Sequence, residues 1–345
     1  MCGTVDPGVE AEAATTVSPV TGYPVLVSRR LPKPVMNRLA EECDLSVWPE
    51  EVAMPRDRLL KDVAGRRAVI TLLTERVDDE LLDAAGDGLL IVANYAVGFD
   101  NIDVAACTRR GVLVSNTPDV LTEATADMTW ALLMAAARRV AEGDRFLRTR
   151  QPWVWGPEML LGQDVYGKVL GVLGLGRIGR AVARRAAGFN MRIVYHDPAL
   201  PPGQIVDGAE PVGLDDLFAV SDFVSVHVVL SPETRHVVNA ERLRQMKPTA
   251  VLVNASRGPV IDERALAEAL DAGELFAAGL DVFEREPEVD PHLLANPRAV
   301  LAPHLGSATV ETRLAMGMVA ADNVLAALHG QRPPTLLNPE AWDGR

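Results

Sequence analysis

Residues 168–197 read KVLGVLGLGRIGRAVARRAAGFNMRIVYHD, and this stretch decides the fold. Branched and apolar side chains at 169–173 and again at 191–195 predict two short buried strands. Between them, residues 181–187 are rich in alanine and arginine and predict a helix. A strand, a helix and a second strand in this order form the repeating unit of a parallel sheet covered by helices.

The turn between the first strand and the helix carries Gly174, Gly176 and Gly179 as a G-x-G-x-x-G. In a dinucleotide-binding unit the first glycine makes the tight turn, the second lets a pyrophosphate approach the backbone, and the third lets helix and strand pack closely. Asp197 follows the second strand, where a carboxylate accepts hydrogen bonds from the adenosine ribose hydroxyls. The stretch therefore predicts a Rossmann domain that binds a dinucleotide through the N–H groups at the helix N-terminus.

Composition excludes several classes of protein. The chain has 345 residues, enough for about two domains of ordinary size. A net charge of −13 argues against nucleic-acid binding, which needs a basic face. The three cysteines are widely spaced and suggest neither a disulfide framework nor a zinc site, so we expect no metal and a reducing, cytoplasmic compartment.

The N-terminal residues 1–21 contain no Lys or Arg and no apolar core, which argues against a signal or transit peptide and predicts a disordered tail. No apolar stretch approaches the roughly twenty residues that span a bilayer, so no membrane association is expected.

Short apolar runs alternate with amphipathic segments from residue 22 to about 117, which predicts a first α/β unit with a parallel sheet. A Thr-Pro-Asp break at 117–119 marks a domain boundary. One long helix is predicted over 122–148, packed either on its twin in a dimer or within one subunit. A second unit with six predicted strands follows, and we expect the helical tail after it to return to the first domain.

Three successive strand ends of the second unit carry candidates for chemistry, namely Arg257, Glu286 and His304. Ligands bind outside the carboxyl ends of strands in open α/β sheets, so these side chains are expected at one rim. The Arg257 guanidinium can bind a substrate carboxylate bidentately. His304 suits proton transfer near neutral pH, and Glu286 would favour its charged form and fix its ring.

Two loops leave alternatives open. The glycine turn at 94–100 either presents backbone N–H groups to a carboxylate or is a plain turn with Asp100 as a helix cap. The irregular segment 151–162 contains Trp153 and Trp155, which either plug the core or wall a ligand site.

The chain resembles the D-isomer-specific 2-hydroxyacid dehydrogenase family over nearly all of residues 24–340. The resemblance is carried by AVGFDNID (96–103), TEATADMTWALL (122–133), GKVLGVLGLGRIG (167–179), NASRGPVIDERAL (254–266), GLDVFEREP (279–287) and APHLGSAT (302–309). It implies a Rossmann NAD-binding domain at 120–307 and a discontinuous, flavodoxin-like α/β substrate domain at 22–119 and 308–345, with the active site in the interdomain cleft. It also implies a homodimer formed through the helix at 122–148.

The family's catalytic set maps onto Arg257, Glu286 and His304. Substrate contacts are implied for Val97, Gly98, Arg257 and His304. Asp281 is implied to face the nicotinamide carboxamide. The implied cofactor-binding residues are Gly174, Leu175, Gly176, Arg177, Ile178, Gly179, Asp197, Val228, Ala255, Ser256, Arg257, Asp281, His304 and Gly306.

Within the family the chain looks most like glyoxylate/hydroxypyruvate reductases, in which a Trp matching Trp155 reaches a neighbouring subunit's site. The resemblance implies reduction of a small 2-keto acid to the D-2-hydroxy acid, or the reverse oxidation. Asp197 would repel the 2′-phosphate of NADP(H), so we expect a preference for NAD(H).

Several alternatives remain. They are a phosphoglycerate or phosphite dehydrogenase-like enzyme and a non-catalytic, NAD-sensing protein like the corepressors built on this fold. Phosphite dehydrogenases carry Lys where Val97 stands, and formate dehydrogenases carry Gln where Glu286 stands, which disfavours both.

Overall fold

A computed structural model describes residues 22–344 of the chain. The described chain divides into two compact units. The first consists of residues 22–93, 103–115 and 321–344, and the second of residues 94–102 and 116–320. The tail predicted to be disordered, residues 1–21, lies outside the described residues. The predicted division into a substrate domain and a cofactor domain stays a prediction.

The strands are β1 Tyr23–Val27, β2 Cys43–Val47, β3 Ala68–Thr71, β4 Ile91–Asn94, β5 Leu113–Ser115, β6 Val169–Leu173, β7 Arg192–His196, β8 Glu210–Pro211, β9 Phe223–Val226, β10 Val251–Asn254, β11 Ala277–Leu280 and β12 Ala299–Leu301. The helices are α1 Lys33–Ala40, α2 Arg56–Val63, α3 Asp79–Ala85, α4 Val104–Arg109, α5 Thr122–Ala137, α6 Val140–Arg148, α7 Arg177–Ala186, α8 Leu214–Val220, α9 Ala240–Gln245, α10 Glu263–Ala272, α11 Pro291–Ala295, α12 Val310–Leu328 and α13 Glu340–Asp343. No helix within residues 22–344 is long and apolar enough to cross a bilayer.

The strands of the first unit form one sheet with the order β2-β1-β3-β4-β5. β1 pairs in parallel with β2 and β3, and β4 pairs in parallel with β5. β3 and β4 are buried along their whole length, as expected for a parallel sheet with both faces covered. This strand order is the flavodoxin-like one and confirms the predicted fold class for this unit.

The C-terminal segment joins the first unit through the buried side chain of Asn338. Its Oδ1 accepts a hydrogen bond from the Val114 N–H at 2.8 Å, and its Nδ2 donates to the Val112 carbonyl at 2.9 Å and to Thr108 Oγ1 at 3.0 Å. A buried amide without such partners would be costly. Asn338 therefore fixes how the segment lies beside β5.

The second unit forms a sheet with the order β12-β11-β10-β9-β6-β7-β8. Counted from β6, this is the dinucleotide-binding order 3-2-1-4-5-6 extended by β12, which confirms the predicted Rossmann fold. The carboxyl ends of β10, β11 and β12 are neighbours at one edge, because these strands pair in parallel. The sequence pattern predicts six strands here. The additional strand, β8, has only two residues and leaves no hydrophobic pattern to detect.

The prediction of one helix over 122–148 is wrong, because the chain breaks between α5 and α6. Arg139 adopts a left-handed backbone with φ of 53°. The Ala137 carbonyl accepts the Gln163 N–H at 2.8 Å instead of continuing the helix. The Arg139 guanidinium binds Glu142 with two contacts of 2.7 Å, which stabilises the first turn of α6.

Candidate active site

The loop between β6 and α7 has the shape that a dinucleotide pyrophosphate requires. Gly174 has a φ of 90°, and a Cβ at this position would lie 2.8 Å from the carbonyl carbon of His227. A side chain there would be both strained and crowded. Within the described residues, the N–H groups of Gly176, Arg177 and Ile178 donate no hydrogen bond. They are the kind of group that binds an anion at a helix N-terminus.

Asp197 lies at the end of β7 and holds the glycine loop. Its Oδ2 accepts the Leu175 N–H at 2.8 Å, and its Oδ1 accepts the Ala199 N–H at 2.9 Å. Each carboxylate oxygen can accept a further hydrogen bond, so the residue remains able to bind a ribose hydroxyl. The carboxylate also places a negative charge beside the glycine loop.

The other predicted cofactor residues follow neighbouring strands of the same sheet, Val228 after β9, Ala255 and Ser256 after β10, Asp281 after β11 and Gly306 after β12. His227 lies beside Val228, and burial lowers the pKa of its imidazole to about 3. Its Nε2 is 2.7 Å from Ser225 Oγ. His227 is therefore neutral near pH 7 and is not the proton donor.

His304 and Glu286 are in direct contact, as their positions at adjacent strand ends predict. The His304 Nδ1 lies 2.8 Å from Glu286 Oε2, and Glu286 Oε1 accepts the Phe283 N–H at 3.0 Å. Burial raises the pKa of the Glu286 carboxyl, but the hydrogen bond and charge of His304 outweigh it and bring this pKa below its ordinary value. Glu286 is thus a carboxylate near pH 7.

The turn that carries His304 is built around Asp281, which is 1% exposed. The Asp281 carboxylate accepts the N–H groups of Leu305 and Gly306, each at 2.6 Å, and its carbonyl accepts the His304 N–H at 2.8 Å. Burial raises the pKa of this carboxyl above its ordinary value in spite of those bonds. His304 has a φ of 56°, a left-handed backbone that a histidine rarely adopts. Asp281 holds the backbone in that conformation.

Arg257 is largely fixed by the protein. Its Nε donates to Asp100 Oδ1 at 2.8 Å, and its Nη1 donates to the Ser256 carbonyl at 2.9 Å. Its Nη2 is buried and has no hydrogen-bond partner in the part of the chain that the structure describes. The bidentate grip expected of Arg257 stays a prediction, and Asp100 already accepts a hydrogen bond from Nε.

The loop at 95–99 lies against that free nitrogen. A Cβ on Gly98 would overlap the Arg257 guanidinium, so the two groups are in contact. The Gly98 carbonyl accepts Asn94 Nδ2 at 2.8 Å, and the Val97 carbonyl accepts Asn116 Nδ2 at 2.8 Å. The N–H groups of Val97 and Gly98 donate no hydrogen bond within residues 22–344. Two free amides thus lie beside one free guanidinium nitrogen, which is the donor set of a carboxylate site.

The side chain of Trp155 is 78% exposed. Trp153 and Val154 beside it are exposed too, which excludes the core-plug alternative for this loop. The predicted contact of Trp155 with substrate stays a prediction.

Sequence reasoning missed Asp100 as a partner of Arg257 and the amides of Asn94 and Asn116 as anchors of the loop at 95–99. An Asn at or just after a strand end is the available signal, since its amide can donate a hydrogen bond to the carbonyl of a nearby loop. Among the described residues no group of three or more His, Cys, Asp or Glu side chains is arranged to hold a metal ion.

Known proteins similar to this chain share both its sequence and its fold. The sequence profile described as the NAD-binding domain of D-isomer-specific 2-hydroxyacid dehydrogenases matches residues 130–306. The chain is 50% identical over 321 residues to a glyoxylate reductase of Thermococcus kodakarensis, an alignment that covers 92% of this chain and 96% of that protein.

Two crystal structures extend the similarity to the fold. A protein from Thermus thermophilus superposes with a TM-score of 0.86 at 45% identity, over 91% of this chain and 99% of that one. An NADPH-dependent glyoxylate/hydroxypyruvate reductase from Sinorhizobium meliloti, solved in complex with NADP and malonate, gives a TM-score of 0.79 at 33% identity, over 93% of this chain and 98% of the other.

Proposed function

The chain belongs to the D-isomer-specific 2-hydroxyacid dehydrogenase family, and we propose that it reduces small 2-keto acids of the glyoxylate and hydroxypyruvate type with NADH. The observation that carries this proposal is the group of unpartnered donors formed by Arg257 Nη2 and the amides of Val97 and Gly98. These donors suit a carboxylate, which every 2-keto acid carries. The named activity of the Thermococcus kodakarensis relative supports the same substrate class.

Arg257 and the loop at 97–98 bind and orient the substrate in this proposal. The substrate carboxylate accepts hydrogen bonds from the two amides and from Nη2, and the charge of Arg257 also polarises the adjacent carbonyl. Because Asn94 and Asn116 hold the loop carbonyls, the amides keep their orientation before the substrate arrives. The site is thus preorganised for one carboxylate in one orientation.

His304 supplies the proton. Its Nδ1 is engaged with Glu286, so Nε2 is the nitrogen that faces the substrate oxygen. The Glu286 carboxylate favours the protonated imidazole because an adjacent anion stabilises the cation. Transfer of the Nε2 proton to the carbonyl oxygen gives the 2-hydroxy acid, and the reverse oxidation uses the neutral imidazole as base.

Bound NADH supplies the hydride that reduces the carbonyl carbon. The residues present fit this group, since the N–H groups of Gly176, Arg177 and Ile178 are available to the pyrophosphate. Asp197 would accept hydrogen bonds from the adenosine ribose and disfavour a 2′-phosphate. We therefore propose NAD(H) as the preferred cofactor, unlike the NADPH-dependent relative from Sinorhizobium meliloti.

The proposal is tested by following NADH absorbance with glyoxylate, hydroxypyruvate, pyruvate, phenylpyruvate and phosphohydroxypyruvate. We expect turnover with the first two at the highest kcat/KM. Binding of NADH without turnover of any 2-keto acid would refute the proposal and favour a non-catalytic, NAD-sensing protein. A preference for phosphohydroxypyruvate would instead indicate a phosphoglycerate dehydrogenase.

We further propose a homodimer that involves α6 and the segment after it. Apolar side chains stand exposed there, namely Val140, Leu147, Trp153, Val154, Trp155 and Leu161. A run of exposed apolar residues of this kind is typical of a protein interface. Analytical ultracentrifugation is expected to give twice the mass of one chain, and a monomer at micromolar concentration would contradict this.

A further inference from the structure

We propose that Asp100 is a positioning residue that fixes the Arg257 guanidinium, so that a single nitrogen, Nη2, faces the substrate carboxylate. The inference rests on the proposed function, because it assigns Arg257 to substrate binding. Within residues 22–344, the Asp100 carboxylate makes its hydrogen bond and ion pair with Arg257 and none with the loop between β6 and α7, His304 or Glu286, so it acts through Arg257.

The guanidinium is held at two of its three nitrogens. Asp100 Oδ1 accepts from Nε at 2.8 Å and the Ser256 carbonyl accepts from Nη1 at 2.9 Å. An arginine side chain otherwise has several rotatable bonds, and its planar fork takes up one orientation only when its donors are engaged. With both acceptors in place, the remaining nitrogen, Nη2, is the one left free.

The loop that carries Asp100 also packs against the guanidinium, closest to Nη2. Gly98 touches the guanidinium, and Val97 and Gly98 supply the two free amides. One short loop thus provides the acceptor that orients Arg257, the contact that limits its movement and the amides that share its ligand. Displacement of Arg257 would separate Nη2 from those amides, and the carboxylate would lose a matched set of donors.

Asp100 does not cap the following helix, which was the alternative role for this residue. The N-cap of α4 is Asp103, whose carboxylate accepts the Ala106 N–H at 2.8 Å. The side chain of Asp100 instead forms a partly exposed ion pair with Arg257. A partly exposed pair contributes little to folding stability, so an effect on substrate binding is the more sensitive readout.

A double-mutant cycle tests the inference with the variants Asp100→Ala, Asp100→Asn, Arg257→Ala and Asp100→Ala/Arg257→Ala. Misplacement of a binding group by about 1 Å can cost on the order of 10²-fold, so we expect Asp100→Ala to lower kcat/KM for hydroxypyruvate by about 10²-fold, mainly through KM. Asp100→Asn keeps an acceptor oxygen and should lose less. The Kd for NADH should not change.

The cycle also separates positioning from general damage. If Asp100 acts through Arg257, then Asp100→Ala should add less than about twofold to the loss caused by Arg257→Ala, because the two act as a unit. Additive losses, or wild-type kcat/KM in Asp100→Ala, would overturn the inference. Asp215→Asn, which removes a carboxylate from another Asp–Arg pair, is the matched control and should leave the kinetics unchanged.

Failure of the proposed function gives a different result. Wild-type protein would then reduce no 2-keto acid, and the cycle would have no activity to compare. If Asp100→Ala fails to fold by circular dichroism, the isosteric Asp100→Asn decides the question through the same KM and NADH Kd measurements.

Discussion

At His304 the left-handed backbone and the contact of the imidazole with Glu286 have a common origin in one turn. The Asp281 carboxylate accepts hydrogen bonds from the two backbone N–H groups that follow His304, and Glu286 contacts the imidazole ring. The backbone conformation is unfavourable for a histidine, so it persists only because the buried Asp281 carboxylate binds both following N–H groups. The ring is thereby aimed before a substrate binds.

Replacement of His304 by Ala should lower kcat for hydroxypyruvate by a factor of roughly 10² to 10⁴, the usual contribution of a general acid. Binding of NADH should largely persist, because in this account the glycine loop and Asp197 hold the pyrophosphate and the adenosine ribose. Steady-state kinetics and a fluorescence titration with NADH measure the two effects. A His304→Ala enzyme with unimpaired kcat would refute the role of this residue.

The charge of Glu286 should set the alkaline limit of the reduction. Its pKa lies below the ordinary value, so it is an anion across the working range and favours the protonated imidazole. Glu286→Gln keeps a hydrogen-bonding group but removes the charge, so the alkaline fall of kcat should move to lower pH. Glu288→Gln, on the same loop and exposed, should leave the profile in place. An unchanged profile for Glu286→Gln would contradict the assignment.

Residues of this site differ in how far the sequence could predict them. Arg257, Glu286 and His304 follow successive parallel strands, and such strands end at one edge of a sheet, so their proximity could be predicted. The pairing of Asp100 with Arg257 could not, because 157 residues separate them and only the fold brings them together. The local sequence of Asp100 indicates only a cap for the nearest helix, a role that Asp103 fills.

Among the elements, the unit of β6, α7 and β7 follows the sequence pattern closely, because its glycines and apolar runs leave few other structures possible. The break between α5 and α6 did not show in the pattern. Residues on both sides of Arg139 favour helix, and the break depends on Gln163, which is distant in sequence and binds the Ala137 carbonyl. Local helix propensity cannot predict a break that is stabilised by a contact between residues distant in sequence.

Asp197 follows β7 and binds the glycine loop through the Leu175 N–H. The substitution Asp197→Ala should change the preference between NADH and NADPH. Loss of hydrogen bonds to a charged group should weaken NADH binding on the order of 10- to 100-fold. NADPH should suffer less, because the repulsion of its 2′-phosphate disappears with the carboxylate. The ratio of kcat/KM for NADPH to that for NADH should therefore rise in Asp197→Ala.

The control for Asp197 is Asp207→Ala, an exposed carboxylate paired with Arg180. It should leave the ratio of the two cofactors unchanged. Equal losses with NADH and NADPH in Asp197→Ala would mean that this residue only supports the Leu175 backbone.

At the scale of the whole molecule, the parallel sheets of both units were predictable because strands alternate with helices along the chain. The flavodoxin-like order of the first unit was implied only by the family resemblance. What covers the exposed apolar side chains of α6 and the segment after it could not be predicted from the sequence. A single chain shows which residues are uncovered, whereas the surface that covers them belongs to another molecule.

Stability of the second unit should fall in acid through Asp222. Burial raises the pKa of this carboxyl, but bonds from Lys247 Nζ at 2.8 Å and the Val169 N–H at 2.9 Å lower it below the ordinary 3.8. A lowered folded-state pKa means that the stabilisation is present above pH 3.8 and is lost as the pH falls through the folded value.

Asp222→Asn should therefore lower the free energy of unfolding near pH 7 by about 2 kcal/mol, as measured by urea denaturation. The difference from wild type should shrink towards pH 3 as the wild-type carboxyl is protonated. Asp215→Asn removes a more exposed carboxylate and should change the unfolding free energy by about 0.5 kcal/mol or less. A pH-independent difference for Asp222→Asn would contradict the linkage.

The most direct measurement follows the product of one reaction, the reduction of hydroxypyruvate by NADH, with the glycerate enantiomers separated by chiral chromatography. We expect one enantiomer to form in an amount equal to the NADH consumed, because one hydride reduces one keto acid while Arg257, the loop at 97–98 and His304 hold the carbonyl in one orientation. Membership of the D-isomer-specific family predicts that this enantiomer is D-glycerate. Formation of L-glycerate, or no consumption of NADH with this keto acid or with glyoxylate, would contradict the proposed function.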